Sequence, residues 1–103
     1  MAKKQTIDFD WDPRKASQNR FKHDVSFELA MSVFGDPLAF SIFDEDHSDV
    51  EERWITMGMA RDARILVVVH MFRDTGAQVL IRIISARPAT KRESLQYREG
   101  HES

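Results

Sequence analysis

The chain has 103 residues, of which 42% are hydrophobic and 31% charged, values typical of one compact domain spanning 1–103 rather than of a disordered chain. It contains no cysteine, which excludes a disulfide framework, a thiolate nucleophile and a cysteine zinc site. The longest apolar run is Ile65–Val69 and the start MAKKQTIDFD has no apolar signal-peptide core, so we expect a cytoplasmic protein that does not enter a membrane.

The formal net charge of −2 argues against a general nucleic-acid coat, but the charges are unevenly distributed. Segment 44–52, DEDHSDVEE, carries six acidic residues and no Lys or Arg, whereas 53–103 carries nine basic and five acidic residues. An acidic loop beside a basic half could steer a polyanion toward one face of the molecule. Charge alone favours a solvated loop and ordinary surface residues.

The N-terminal part predicts a strand followed by a helix. The alternation in TIDFDWD is typical of a short strand with three apolar residues on one side, namely Ile7, Phe9 and Trp11. Asp12 and Pro13 then predict an N-cap and the first turn of a helix over about 13–23. A stripe at helical spacing should give this helix a polar, cationic face, formed by Lys15, Asn19 and Lys22.

A second helix is predicted after Ser26, which can serve as its N-cap, and Gly35-Asp36-Pro37 should end it. Its core face is predicted at i, i+3, i+4 and i+7 spacing, namely Phe27, Ala30, Met31 and Phe34. A short apolar run over about 38–43 then predicts another strand.

Three strands are predicted at about 53–60, 64–72 and 78–86, and the short links between them imply an antiparallel meander. The middle strand is the most apolar and should be central, with both faces covered. Thr90 and Glu93 predict a capping box for a last helix that ends near Gly100 and has little apolar surface. The resulting order, β-α-α-β-β-β-β-α, indicates a single α+β domain.

Sequence motifs for bound cofactors are absent. The glycines are too scattered for a phosphate-binding loop or a dinucleotide fingerprint. The acidic loop lacks the glycine and glutamate of a calcium loop, because Asp49 and Ile55 occupy those positions. We therefore expect no cofactor and no metal ion.

Histidines and arginines are the candidates for chemistry. His70 ends the most apolar strand, where a buried core histidine is favoured over a general acid or base. Four arginines lie in or beside the strands and could converge in a meander, namely Arg53, Arg64, Arg82 and Arg87. Arg82 stands between isoleucines, so it needs a partner such as Glu51 or Glu52, or it belongs to a guanidinium cluster that binds phosphate. Residue spacing leaves both interpretations open.

Four segments resemble the BrnT toxins of bacterial type II toxin–antitoxin systems: WDPRKASQNRFKHDVSFELAMSVFGDP, DEDHSDVEERWITMG, RILVVVH and IRIISARPATKRESLQYREG. The resemblance covers roughly residues 8–100. Its most specific parts are Lys22-His23 before VSF, Glu52-Arg53, and the segment from Arg82 to Arg92. Asp24 departs from the family's usual glycine, although aspartate tolerates the left-handed backbone conformation that ends a helix.

The resemblance implies a RelE-like fold, which is a small antiparallel β-sheet with two N-terminal helices packed on it and a C-terminal helix. It implies a ribonuclease that cleaves RNA without a metal ion and so inhibits translation. It also implies a BrnA-like antitoxin that neutralises the toxin, in a complex of two toxins with two antitoxins. Operator DNA would be bound only indirectly, through the antitoxin.

Metal-free RNA cleavage needs a base for the 2′-hydroxyl, cations for the phosphate and a donor for the leaving oxygen. We predict that four cationic residues bind the phosphate, namely Lys22, Arg64, Arg82 and Arg87. Glu52 or His70 would be the base. The scarcity of clear acid–base residues keeps an alternative open, which is a non-catalytic module that binds a partner protein or RNA.

Overall fold

A five-stranded sheet organises the part of the chain that the structure, a computed structural model, describes, namely residues 5–49 and 51–100. The strands are β1 (Thr6–Trp11), β2 (Phe40–Phe43), β3 (Arg53–Met59), β4 (Ile65–Asp74) and β5 (Gln78–Pro88). The helices are α1 (Pro13–His23), α2 (Phe27–Met31) and α3 (Lys91–Glu99), and 3-10 turns cover Ser32–Gly35 and Glu45–His47. The order across the sheet is β1-β5-β4-β3-β2, which confirms an α+β fold with β4 at the centre.

The sheet is mixed, so the prediction of a wholly antiparallel sheet is wrong for one edge. β2, β3, β4 and β5 form the predicted antiparallel meander, but β1 pairs with β5 in parallel. Short links fix the direction of consecutive strands only. Because β1 and β5 lie at opposite ends of the sequence, no link length determined how they would pair.

Local capping signals place the helices as predicted. The Asp12 side chain accepts a hydrogen bond of 2.8 Å from the Arg14 amide at the start of α1. Asp24 follows this helix with a φ of 56°, the left-handed conformation that aspartate tolerates. Thr90 and Glu93 form the complete capping box of α3.

The helices α1 and α2 cover one face of the sheet. Side chains from the segment around α2 pack there on β4 and β5, and the largest fully buried ones include Val25, Phe27, Val33, Leu66, Val68 and Ile83. The predicted core residue Met31 is instead 37% exposed. α2 gives way to a 3-10 turn directly after it, so the 3.6-residue spacing used for that prediction does not continue.

The polar stripe predicted for α1 is only partly solvated, because Asn19 is buried with 7% exposure. Its amide donates to the carbonyl oxygens of Val25 and Ala86 at 2.9 and 2.8 Å and accepts from the Ala86 amide at 3.0 Å. Phe21, by contrast, is 96% exposed. This helix is therefore joined to β5 through a buried amide rather than through an aromatic side chain.

The helix α3 packs on the opposite face of the sheet. Tyr97 is buried there against Met57, Ile65 and Val67, and its hydroxyl donates to Asp36 at 2.6 Å. These contacts cover only the end of the face where β4 begins, and the opposite end carries partly exposed polar side chains. No helix within the described ranges is long and apolar enough to cross a membrane.

Candidate active site

Four neighbouring strands each place one residue in a row across the sheet face that carries α3. In the strand order β1, β5, β4, β3, the paired residues are Asp10, Arg82, Met71 and Arg53. Residues paired directly across strands point to the same side. We call these four residues the arginine row. The row presents one guanidinium group on each side of a methionine. Arg73, two residues beyond Met71, faces the same way.

Weak ion pairs link the carboxylates to the guanidinium groups of this face. Arg82 Nη1 lies 3.6 Å from Asp10 Oδ2, and both side chains are about half exposed. Arg73 Nη2 lies 3.5 Å from Glu51 Oε1, with 60% and 39% of the two side chains exposed. Solvated ion pairs at such distances contribute about 0–1 kcal/mol, so these arginines can exchange their partner for another anion at low cost.

Arg53 differs from the other arginines because its Nε is buried and makes no hydrogen bond to any described residue. A buried N–H group without a partner is rare in folded proteins and calls for an explanation.

The acidic loop is tied to the first residue of β3. The Asp44 amide donates to the Arg53 carbonyl at 2.8 Å, and the Arg53 amide donates to Ser48 Oγ at 2.9 Å. Ser48 Oγ also donates to the Asp44 carbonyl at 2.5 Å. Within this loop, His47 Nδ1 lies 3.1 and 3.0 Å from the two carboxylate oxygens of Asp44. The loop is thus held beside the arginine row, a position that sequence reasoning did not foresee.

Three predicted phosphate-binding residues lie at the other end of the sheet, away from Arg82. Arg64 Nε donates to Asp62 Oδ2 at 2.7 Å and its Nη2 donates to the Asp24 carbonyl at 3.1 Å. Lys22 is exposed on α1 just before Asp24. The structure therefore brings Lys22 and Arg64 to the same end, but it does not bring either to Arg82.

Arg87 is the third of these residues, and it binds Glu93 with two hydrogen bonds of 2.7 and 2.9 Å. The hydrogen bonds from Arg87 lower the pKa of Glu93 to about 2, with further help from the Thr90 amide. The same pair raises the pKa of Arg87. This arginine therefore fastens the end of β5 to the first turn of α3.

His70 lies on the face of the sheet that α1 and α2 cover, and it is only 3% exposed. Its Nε2 is 2.7 Å from Thr56 Oγ1, its Nδ1 is 3.3 Å from the Met71 carbonyl, and its ring packs edge-on against Phe34. Burial lowers the pKa of the imidazole, which favours the neutral form. These contacts agree with the interpretation of a core histidine, and the sheet separates His70 from the side chain of Arg82.

Glu52, the other predicted base, precedes β3 and has an exposed side chain. Its carbonyl accepts a hydrogen bond of 3.0 Å from the Phe72 amide, which places it at the same end of the sheet as Arg82. Its neighbour Glu51, however, is the glutamate that contacts Arg73. The predicted partner of Arg82 was a glutamate in this segment, whereas the structure shows Asp10 from β1.

Comparisons with known proteins identify the family of this chain. A sequence model of the family described as "Ribonuclease toxin, BrnT, of type II toxin-antitoxin system" matches residues 11–93. The chain is therefore one of the ribonuclease toxins of type II toxin–antitoxin systems. Within that class it belongs to the BrnT family, as the sequence segments predicted.

The fold is similar to the crystal structure of the Brucella abortus ribonuclease toxin BrnT, with a TM-score of 0.52. The two proteins are 23% identical, and the alignment covers 84% of this chain and 100% of that one. At this level of identity the similarity supports the fold alone. A search of curated proteins finds no match.

Proposed function

We propose that this chain is an endoribonuclease that cleaves RNA without a metal ion, and that the arginine row binds the scissile phosphate. The observation that carries the proposal is the juxtaposition of Arg53 and Arg82 on one face of the sheet. The weak ion pair of Arg82 and the Arg53 Nε without a hydrogen-bond partner among the described residues support an anion as their common ligand. We further propose that the whole of 1–103 forms this one domain and that its sheet is of the RelE-like type.

The spacing of the strands suits one phosphate between two arginines. Neighbouring strands lie about 4.8 Å apart, so the Cα atoms of Arg53 and Arg82 are separated by about 10 Å, with Met71 between them. Two long side chains can bridge that separation above a methionine. Guanidinium groups bind phosphate through forked hydrogen bonds, which a lysine cannot reproduce.

The same cations would assist the chemistry of RNA cleavage. When the 2′-hydroxyl attacks phosphorus, negative charge accumulates on the phosphate oxygens, and fixed guanidinium groups stabilise that charge. Of the residues predicted from sequence, Arg82 and Glu52 lie at this end of the sheet. Their hydrogen bonds support a different proposal for the other two arginines, that Arg87 supports α3 and Arg64 supports the end of α1.

The biological setting follows from the family, whose type II systems pair a toxin with an antitoxin. We propose that cleavage of cytoplasmic RNA inhibits translation, and that a BrnA-like antitoxin neutralises the toxin in a complex of two toxins with two antitoxins. Operator DNA would be bound only through the antitoxin. Co-expression with such an antitoxin and measurement of the mass of the purified complex tests this proposal, and separate elution of two folded proteins would refute it.

The catalytic proposal is tested by incubating the purified protein with RNA in the presence of a chelator. Removing one guanidinium from a charged phosphate contact costs about 1.5–3 kcal/mol, which is roughly 10- to 100-fold in cleavage rate. We expect this loss in Arg53→Ala and in Arg82→Ala. Arg92→Ala is the matched control, because Arg92 is exposed on the first turn of α3.

Circular dichroism and thermal unfolding establish that each variant is folded. Full cleavage by a folded Arg53→Ala/Arg82→Ala double variant would remove the arginine row from the site. Intact RNA in growth-arrested cells would favour the alternative of a non-catalytic binding module. Cleavage that stops on addition of a chelator would contradict metal independence.

A further inference from the structure

We infer that His47 is the general base that takes the proton from the ribose 2′-hydroxyl of RNA, and that Asp44 positions it. This inference rests on the proposed ribonuclease function and assigns the base that the arginine row lacks. Its support is the geometry of the Asp44–His47 pair, the attachment of the loop to the arginine row, and the composition of the adjoining cavity.

The Asp44–His47 pair has the arrangement of an oriented base. Both Asp44 oxygens lie within 3.1 Å of His47 Nδ1, so that nitrogen is engaged and Nε2 is the one left for a substrate. A carboxylate in this position fixes the ring and the tautomer, and it stabilises the imidazolium that forms when Nε2 accepts a proton. The Asp44 side chain is only 17% exposed, whereas His47 is 63% exposed and therefore accessible.

The loop that carries this pair is anchored to Arg53. The Arg53 carbonyl accepts a hydrogen bond from the Asp44 amide, and the Arg53 amide donates one to Ser48 Oγ. His47 lies between these two anchors in the sequence. The base and one of the proposed phosphate-binding arginines are thereby held in a fixed relation by three short hydrogen bonds.

A cavity of about 340 Å³ connects His47 with the arginine row. Its lining consists of Asp46, His47, Asp49, Glu51, Arg53 and Met71. Two members of the row, Arg53 and Met71, line it directly, so the cavity adjoins the proposed phosphate position and has room for the ribose of the same nucleotide. Besides His47 and the two members of the row, the lining contains three carboxylates, those of Asp46, Asp49 and Glu51.

The reaction step is balanced without a metal ion or an oxidant. His47 Nε2 takes the 2′-hydroxyl proton, and the 2′-oxygen forms a bond to phosphorus. The bond from phosphorus to the 5′-oxygen breaks, and that oxygen takes a proton from water, to which this exposed site is open. The products are a 2′,3′-cyclic phosphate and a 5′-hydroxyl. The imidazolium then returns its proton to the solvent.

The other histidines within the described ranges are less suitable. His70 has both ring nitrogens within hydrogen-bond distance of protein groups and lies on the opposite face of the sheet. His23 ends α1, at the end of the sheet where Arg64 binds the Asp24 carbonyl. His101 lies outside the described residues.

The test compares His47→Gln and Asp44→Asn with the wild-type protein on a defined RNA oligonucleotide. General-base catalysis contributes about 100- to 10,000-fold, so His47→Gln should lower the cleavage rate by at least about 100-fold. It should bind the uncleavable 2′-O-methyl form of the oligonucleotide within about twofold of wild type, because a base contributes to chemistry rather than to phosphate binding. Asp44→Asn should give an intermediate rate with the same affinity. His23→Gln is the matched control.

The pH dependence of the rate provides the second readout. A general base acts only in its unprotonated form, so the wild-type rate should fall as the pH is lowered, and His47→Gln should lose this dependence. Asp44, Asp46, Asp49, Glu51 and Arg53 are the charged groups around the ring and remain unchanged in that variant. A folded His47→Gln protein with the wild-type rate and pH dependence would overturn the inference.

The outcomes separate this inference from the proposed function. Loss of RNA binding in the arginine-row variants, together with normal cleavage by His47→Gln, would retain the ribonuclease and reject this base. Absence of cleavage by the wild-type protein would reject both.

Discussion

The replacement Arg87→Ala distinguishes an arginine that supports the fold from one that binds RNA. In the structure the Arg87 guanidinium donates to both oxygens of Glu93, at 2.7 and 2.9 Å. Glu93 in turn accepts from the Thr90 amide at 2.9 Å and so closes the first turn of α3. Removing the guanidinium therefore weakens the attachment of this helix to β5, whereas the arginine row is left intact.

The expected loss of stability is about 1–2 kcal/mol, because two charge-assisted hydrogen bonds are removed from a pair that is only partly buried. The exposed fractions of the Arg87 and Glu93 side chains are 41% and 25%, which reduces the contribution relative to a buried pair. For a domain of this size the loss corresponds to a decrease in Tm of roughly 5–15 °C.

The pH dependence gives a second check on the same pair. Hydrogen bonds from Arg87 lower the pKa of Glu93 from 4.5 to about 2 in the folded protein. The contribution of the pair is therefore fully present above about pH 4.5 and is lost as the pH falls toward 2. Urea unfolding of wild type and Arg87→Ala at a series of pH values should show a difference that is largest at neutral pH and narrows in acid.

Glu93→Gln provides the partner variant for a double-mutant cycle, which isolates the energy of the pair. RNA cleavage by Arg87→Ala should stay close to the wild-type rate below its Tm. An unchanged free energy of unfolding combined with abolished cleavage would refute the structural assignment and return Arg87 to the phosphate-binding set.

Two substitutions and one titration test the fold. Asn19→Ala should destabilise the protein by about 3 kcal/mol in urea unfolding, because it leaves buried backbone groups around Ala86 without partners; a loss below about 1 kcal/mol would contradict this. Ala63→Gly should stabilise by about 0.5–1 kcal/mol in the same assay, because Ala63 has a φ of 73° that glycine adopts without strain; any destabilisation would count against it. Tyr97 is the single tyrosine, and burial together with its bond to Asp36 raises its pKa to about 12. Ultraviolet absorbance should therefore show phenolate forming near pH 12 in the folded protein and near 10 in urea. The stability that the neutral phenol contributes should be lost as the pH rises from 10 to 12. A folded-state midpoint near 10 would be inconsistent with this contact.

Sequence reasoning predicted the features that depend on a few consecutive residues. The cap at Asp12, the left-handed Asp24 and the box of Thr90 with Glu93 each rest on contacts within four residues. The central position of β4 also follows locally, because a continuous apolar run needs cover on both faces. Features of this kind can be predicted because nearby residues in the sequence determine them.

The composition of the arginine row depends on register, which the sequence does not specify. Arg82 and Arg87 are five positions apart, so simple alternation would place them on opposite faces of β5. A register shift opposite Val69 and His70 inserts Ile84 as an extra residue and returns Arg87 to the face of Arg82. Even so, Arg82 and Arg87 lie far apart along β5. Because β4 pairs with both β3 and β5, it is Arg53 of β3 that comes into line with Arg82.

The bonds that each arginine makes are our reason for proposing that RNA binds at the end of the sheet that carries Arg82. Arg64 and Arg87 each make a hydrogen bond of 2.7 Å to a carboxylate, and the Arg87 contact also holds the first turn of α3. Binding a phosphate there would first require breaking these short charge-assisted contacts. Arg73 and Arg82 make only exposed contacts of 3.5 and 3.6 Å, and the buried Nε of Arg53 makes none within the described chain. An incoming phosphate therefore displaces little at the arginine row and can gain full charge-assisted hydrogen bonds. This difference in the cost of exchange, rather than the number of positive charges, is our reason for proposing that the phosphate binds at the end of the sheet beside the Asp44–His47 pair.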